Sequence, residues 1–280
     1  MAMQTPSPVR QAPNVIKNSK PRIWFHIHIP KTAGSTLRHI LARNFENSYF
    51  SAVSLLEHHK LGLSETSEIV DKHHRWLRCY SDHRLSLDIP FDSDVVDTRA
   101  LAFVRNPVDQ VVSQYNFQKQ HNRRKTEVAM MSLEEFIEKK FNKPRRLSKG
   151  LQLQRLKGTS FGTSTEAIKQ LLDEQKLFLF PLEEFDLACA CLEKLFPEEF
   201  YSAEYFHANK SPRKTTPDQS IRHRIRELVS PDFEIHDIAT WFLSTLASTV
   251  FDSPVEQMNT VSNLKQRCKA YQDKVLASTT

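Results

Sequence analysis

The stretch from Pro30 to Thr36 combines residue types that can bind an anion. Lys31 supplies a mobile positive charge, and the Gly34-Ser35-Thr36 segment allows a tight turn that aims amides and hydroxyls at a phosphate or sulfate. The apolar run 22–29 before it is typical of a buried parallel strand, and residues 37–44 after it have a helical pattern. We therefore predict a phosphate-binding loop, with an ordinary strand, turn and capped helix as the alternative.

A second segment places a cation at the end of a strand. Residues 98–105 are strand-like, Asn106-Pro107 stops the run, and residues 108–115 have a helical pattern. Arg105 therefore lies at a carboxyl end of the sheet, where α/β proteins bind ligands, and Ser113 follows about two helical turns later. Arginine can bind a phosphate through two charge-assisted hydrogen bonds, and serine can donate its hydroxyl. The alternative is a surface charge and a solvated helix residue.

Histidine suits proton transfer near neutral pH, and the chain contains twelve. His83 lies between the two segments described above, directly after residues 78–82. His26 and His28 alternate with apolar residues, so they share one face of the first strand, where packing against a helix is expected. A His-x-His pair can bind zinc, but no Cys or further His at metal-like spacing accompanies it, so no metal site is predicted.

The charge of the chain favours an anionic partner. Its 280 residues carry a formal net charge of +6. The basic clusters match no helix-turn-helix, zinc finger or aromatic RNA-binding signature, which argues against nucleic acid. One basic, turn-rich segment, His207–Lys214, is either an anion-binding loop or a solvated loop between helices.

The order Lys-Thr-Ala-Gly-Ser-Thr after Ile29-Pro30 resembles the 5′-phosphosulfate loop of sulfotransferases that use 3′-phosphoadenosine 5′-phosphosulfate (PAPS), especially the heparan sulfate 2-O and 6-O type and its soluble bacterial relatives. The resemblance covers roughly residues 22–215. It implies two catalytic residues, His83 as the general base that activates an acceptor hydroxyl and Lys31, which stabilises the charge that builds on the bridging oxygen. For His28, a supporting role near the reacting sulfate is the alternative to packing. The cofactor-binding residues that it implies are Lys31, Thr32, Ala33, Gly34, Ser35 and Thr36 for the 5′-phosphosulfate, Arg105 and Ser113 for the 3′-phosphate, and Lys210, Ser211, Arg213 and Lys214 for the adenosine bisphosphate moiety.

The implied reaction moves a sulfuryl group from PAPS to the hydroxyl of a saccharide or another small hydroxylated molecule, without a metal, and releases adenosine 3′,5′-bisphosphate (PAP). Two residues depart from the family pattern. Asp82 stands before His83 where the family commonly has Gly, and it either orients the imidazole or marks a different local turn. Gln154 stands at a usually basic position of the segment 152–158, which leaves the acceptor open. The alternatives are a small-molecule kinase that uses ATP and Mg²⁺, and a nucleotide- or glycan-binding module without catalysis.

The expected fold is α/β, with three layers, a central parallel sheet and C-terminal helical additions. The resemblance makes it a P-loop, nucleoside-kinase-like fold. We expect a flexible N-terminal arm over residues 1–20 and one domain over 21–280. Its PAPS-binding core would take up about 22–120 and 176–215, and helices would form the acceptor side and the C-terminal part.

The four cysteines are scattered, which favours reduced thiols and a cytoplasmic protein. Residues 1–20 contain three prolines and no apolar run, so neither a signal peptide nor a membrane anchor is predicted. The chain is expected to be a soluble bacterial form or an excised catalytic region. Its oligomeric state is left open.

Overall fold

A five-stranded parallel sheet forms the centre of the protein, and its strand order is β2-β3-β1-β4-β5. The structure is a computed structural model that describes residues 20–52, 59–121, 130–141, 150–158, 164–206 and 215–277. The strands are β1 (Arg22–Ile27), β2 (Tyr49–Ala52), β3 (Cys79–Asp82), β4 (Asp97–Val104) and β5 (Leu177–Pro181).

Helices connect and cover the strands. They are α1 (Gly34–Phe45), α2 (Leu63–His73), α3 (Pro107–His121), α4 (Leu133–Phe141), α5 (Leu151–Leu156), α6 (Thr165–Asp173), α7 (Phe185–Leu195), α8 (Gln219–Leu228), α9 (Ser230–Val250) and α10 (Pro254–Ala277). Within the described part of the chain, no helix has the length and apolarity needed to cross a membrane.

The strands are buried on both faces, which explains their nearly continuous apolar sequences. Every residue of β3 and β5 is buried, and in β1 only Arg22 is partly exposed. Successive side chains of a strand point to opposite faces, so layers of helices must cover both sides of the sheet. The predicted α/β fold with a central parallel sheet is confirmed.

An aromatic cluster fixes the start of β1. Trp24 is fully buried and lies within 5.3 Å, centroid to centroid, of the rings of Phe178, Phe196 and Phe200. Its indole N–H donates to Glu199 at 2.9 Å, and the Arg22 guanidinium donates to both oxygens of the same carboxylate at 3.0 Å. Aromatic burial and a satisfied indole together hold the first strand against the segment that follows α7.

The C-terminal helices complete the core beside β5. Phe242 of α9 stacks on Phe180, with ring centroids 5.9 Å apart. Leu264 of α10 is completely buried in the same core. Arg267 of α10 pairs with Glu193 at 2.5 Å and with Glu204 at 2.7 Å. These contacts connect the last helix to α7 and to the segment that follows it.

We predict that α10 unfolds together with the sheet, as a single domain over 21–280 requires. Leu264→Ala should lower the free energy of unfolding by about 2–5 kcal/mol, because it removes buried methyl groups and leaves a cavity. Met258→Ala on the same helix is the control, since Met258 is 63% exposed and its truncation should cost no more than about 0.5 kcal/mol. Urea unfolding followed by circular dichroism measures both.

A separate transition for the helix, with the main transition unchanged in Leu264→Ala, would contradict this prediction.

Candidate active site

Three segments meet at the carboxyl edge of the sheet because their strands are neighbours. β1 pairs in parallel with β3 on one side and with β4 on the other. The loop after β1, His83 after β3 and Arg105 after β4 therefore lie side by side at the edge where parallel sheets bind ligands. The sequence predicted this placement for the loop and for Arg105.

The loop after β1 has two residues in the left-handed region of backbone conformation, Lys31 with φ 70° and Ala33 with φ 60°. The predicted tight turn at Gly34, Ser35 and Thr36 is wrong, because these three residues form the first turn of α1. First-turn amides have no acceptor within their helix, so they remain suited to bind an anion.

Hydrogen bonds from two side chains to main-chain carbonyls stabilise the conformation of this loop. The hydroxyl of Thr32 is buried and donates to the Ile29 carbonyl at 2.9 Å. The amide nitrogen of Gln110, on α3, donates to the Pro30 carbonyl at 3.2 Å. Thr32 can therefore offer its backbone, and not its hydroxyl, to a ligand.

The positive charges of Lys31 and Arg105 interact with each other at this edge of the sheet. Burial lowers the pKa of Lys31, and the positive charge of Arg105 lowers it further. The Lys31 ammonium lies 4.1 Å from the centroid of the Phe117 ring on α3, a cation–π contact. Two cations held near each other in this way raise the local positive potential, as an anion-binding site requires.

His83 is half-buried and oriented by a backbone group. Its Nδ1 lies 3.1 Å from the main-chain carbonyl oxygen of His28. A carbonyl can only accept, so Nδ1 carries the proton and Nε2 keeps a free electron pair. Burial lowers the pKa of His83, and the charges of Arg38 and Arg155 act in the same direction. The hydrogen bond to the His28 carbonyl and the charge of Asp82 oppose them, but the net shift is downward and favours the neutral ring at pH 7. A neutral imidazole with a free Nε2 can accept a proton.

The His28 ring lies between the base candidate and the loop. It stacks on His83 with centroids 3.8 Å apart. On the loop side it packs directly on Gly34, where an added Cβ would lie 1.8 Å from the His28 Nε2. Gly34 is therefore needed for close approach of the ring. The alternating His-x-His pattern predicted the shared face but not this contact.

His26 continues the row of rings. It stacks on His28 with centroids 5.3 Å apart, and its Nδ1 is 2.8 Å from the Ser81 hydroxyl oxygen. Burial lowers the pKa of His26 to about 3, and the charge of Arg38 contributes. Burial also lowers the pKa of His28. Both rings are neutral at physiological pH.

Asp82 supports the turn after β3 and makes no hydrogen bond to the neighbouring imidazole. One oxygen of its buried carboxylate accepts the Arg84 backbone N–H at 2.8 Å. The other accepts the Arg84 guanidinium at 2.9 Å and the Tyr80 hydroxyl at 3.3 Å. This departure from the family pattern therefore fixes Arg84 beside His83.

The main chain at the end of β4 is held by side chains that the sequence reasoning missed. Gln152 on α5 bonds to both the N–H and the carbonyl of Arg105, at 2.8 and 2.7 Å. Glu183 accepts the next amide, that of Asn106, at 2.8 Å. No local pattern signals such partners. Gln152 stood out only as a member of the segment 152–158.

The structure describes only some of the remaining predicted residues. Ser113 is half-buried on α3. Lys210, Ser211, Arg213 and Lys214 lie outside the described residues. No group of three or more His, Cys, Asp or Glu side chains that could hold a metal occurs among the residues for which the structure gives positions.

One of the comparisons with known proteins shows the family. No curated protein matches the chain. A solved sulfotransferase from Alicyclobacillus acidocaldarius is similar, with 14% identity, a TM-score of 0.43 and coverage of 76% of this chain and 93% of that one. The family model described as the sulfotransferase family matches residues 18–185. Because that match spans more than half of the sequence, this chain belongs to the sulfotransferase family.

Proposed function

We propose that the protein transfers a sulfuryl group from PAPS to the hydroxyl of an acceptor, with His83 as the general base. Membership of the sulfotransferase family implies the donor. The observation that carries the proposal is the row of groups at the carboxyl edge of the sheet. Lys31 and Arg105 are close enough for their charges to interact, and His83, whose pKa is lowered by burial, follows the neighbouring strand β3.

The donor would bind across the ends of β1 and β4. Lys31 and the first-turn amides of α1 would hold the 5′-phosphosulfate, where the helix dipole adds positive potential. Arg105 and Ser113 would hold the 3′-phosphate. The sequence resemblance alone supports the remaining residues proposed to bind the adenosine bisphosphate moiety, which are Lys210, Ser211, Arg213 and Lys214.

His83 would take the proton of the acceptor hydroxyl on Nε2. The acceptor oxygen then forms a bond to sulfur while the bond from sulfur to the bridging phosphate oxygen breaks, and PAP leaves with the bonding electrons. Lys31 and the amides of α1 would stabilise the negative charge that grows on that bridging oxygen. This account needs no metal ion.

The acceptor would approach from the His83 side. Arg38 and Arg155 act on the base through their positive charges, which lower its pKa. The acceptor class stays a saccharide or another small hydroxylated molecule.

The four cysteines are free thiols, which is compatible with the cytoplasm as the proposed location.

We predict that PAP binds without a metal and that Arg105 is required for its affinity. Calorimetric titration should show Arg105→Ala binding PAP about 10- to 100-fold more weakly, because hydrogen bonds to a charged group are lost. Arg75→Ala, at an exposed arginine of the segment after α2, is the control and should bind as the wild type does.

A preference for ATP with Mg²⁺, or equal PAP affinity in Arg105→Ala, would speak for the kinase alternative and against this donor site.

We predict that His83→Ala lowers the turnover number by about 10²- to 10⁴-fold, the usual contribution of a general base. Its PAP affinity should stay within about twofold of the wild type, because His83 contacts the acceptor and not the nucleotide. A panel of hydroxylated acceptors assayed with radiolabelled PAPS measures transfer. Unchanged transfer by His83→Ala would remove this residue from the mechanism.

The pH dependence follows from the lowered pKa of His83. The active form is the neutral imidazole, so kcat/KM should rise with pH and level off, with its midpoint below the ordinary value of 6.5. Arg38→Gln should move the midpoint upward, because it removes a positive charge that disfavours protonation. A wild-type midpoint above 6.5, or a downward shift in Arg38→Gln, would contradict the assignment.

A further inference from the structure

We propose that Gln152 and Asp232 are positioning residues of the donor site, which fix the main chain of Arg105 and thereby the direction of its guanidinium. This inference depends on the proposed function, in which Arg105 holds the 3′-phosphate. It extends the site to α9, a helix beyond the region matched by the family model.

Arg105 lies just past the end of the hydrogen-bonded ladder. The last pair between β4 and β5 is Val104 with Pro181, and proline has no N–H to donate. Gln152 instead binds the main chain of the next residue, Arg105. Its side-chain oxygen accepts the Arg105 N–H at 2.8 Å, and its side-chain nitrogen donates to the Arg105 carbonyl at 2.7 Å. Because the Gln152 side chain is fully buried and makes both bonds, it restricts the conformation of the Arg105 backbone.

Asp232 in turn fixes Gln152. Its carboxylate accepts the backbone N–H groups of Leu151, Gln152 and Leu153 at 2.6, 3.0 and 2.9 Å. These residues begin α5, which is only six residues long, too short to be stable by itself. Asp232 is completely buried.

The approach of Asp232 to α5 requires a glycine. Gly150 has φ +66°, and a Cβ there would lie 2.2 Å from the Asp232 Oδ1. Burial raises the pKa of Asp232 to about 6, which shows that its position is unfavourable for the charge. The fold tolerates the free-energy cost of burying this charge because the carboxylate stabilises the start of α5.

A second connection from α9 reaches the adjacent peptide group. The Asn106 N–H donates to Glu183 at 2.8 Å, and the other oxygen of Glu183 lies 3.0 Å from the His236 Nε2, one turn after Asp232. Two consecutive amides at the end of β4 are thus held through separate partners from one helix.

A double-mutant cycle on PAP affinity separates positioning from general stability. Gln152→Met keeps the length and apolar volume of the side chain and removes both hydrogen bonds. Asp232→Asn keeps one acceptor oxygen, so its effect should be smaller. Asp237→Asn is the control, because Asp237 is an exposed acid on the same helix.

Calorimetric titration with PAP should give about 3- to 10-fold weaker binding for Gln152→Met and about 2- to 5-fold for Asp232→Asn, as expected for one or two lost hydrogen bonds. In an Arg105→Ala background the same changes should have no further effect, because the side chain that they orient is gone. Melting temperatures should fall equally in both backgrounds.

An equal loss of affinity in both backgrounds, or none in the wild-type background, would overturn the positioning role while leaving the proposed function intact. If Arg105→Ala itself binds PAP as the wild type does, the proposed donor site fails, and the positioning role fails with it. If Gln152→Met does not fold, Asp232→Asn carries the same test.

Discussion

The central place of β1 in the sheet is the constraint on which the candidate site depends. Parallel pairing with β3 and β4 brings the ends of three strands to one edge, with neighbouring strands about 4.8 Å apart. The loop after β1, His83 and Arg105 come from distant parts of the sequence, and this ladder sets their order. Burial of Trp24 and its aromatic neighbours fixes the strand that the others pair with.

Much of this arrangement could be predicted from the sequence because its signals are local. Apolar runs indicated β1 and β4, and the helical patterns that follow them indicated α1 and α3. Contacts between distant residues could not be predicted. The stacking of His28 on His83 and the hydrogen bonds from Gln152 to Arg105 join residues far apart in the chain and follow no period. The turn at Gly34 was wrong because Lys31 and Ala33 adopt the left-handed conformation without glycine.

Two charge arrangements in and near the site are unfavourable, and the rest of the fold must offset their cost in free energy. Lys31 and Arg105 repel each other, and Asp232 is a carboxylate inside the core. Each arrangement is unfavourable by itself and is tolerated because extensive apolar burial supplies the free energy of folding. An anionic ligand that neutralises both cations would relieve the first of these costs.

The contact between Gly34 and His28 has a consequence for how this sequence can change. The imidazole occupies the volume that a side chain at position 34 would need, so each residue limits the other. An alanine at 34 becomes sterically possible only after the ring at 28 has been replaced by a smaller group, and that replacement removes the surface on which His83 stacks. The two positions are therefore expected to vary as a pair, and any route between alternative pairs passes through an intermediate with either a steric clash or a cavity.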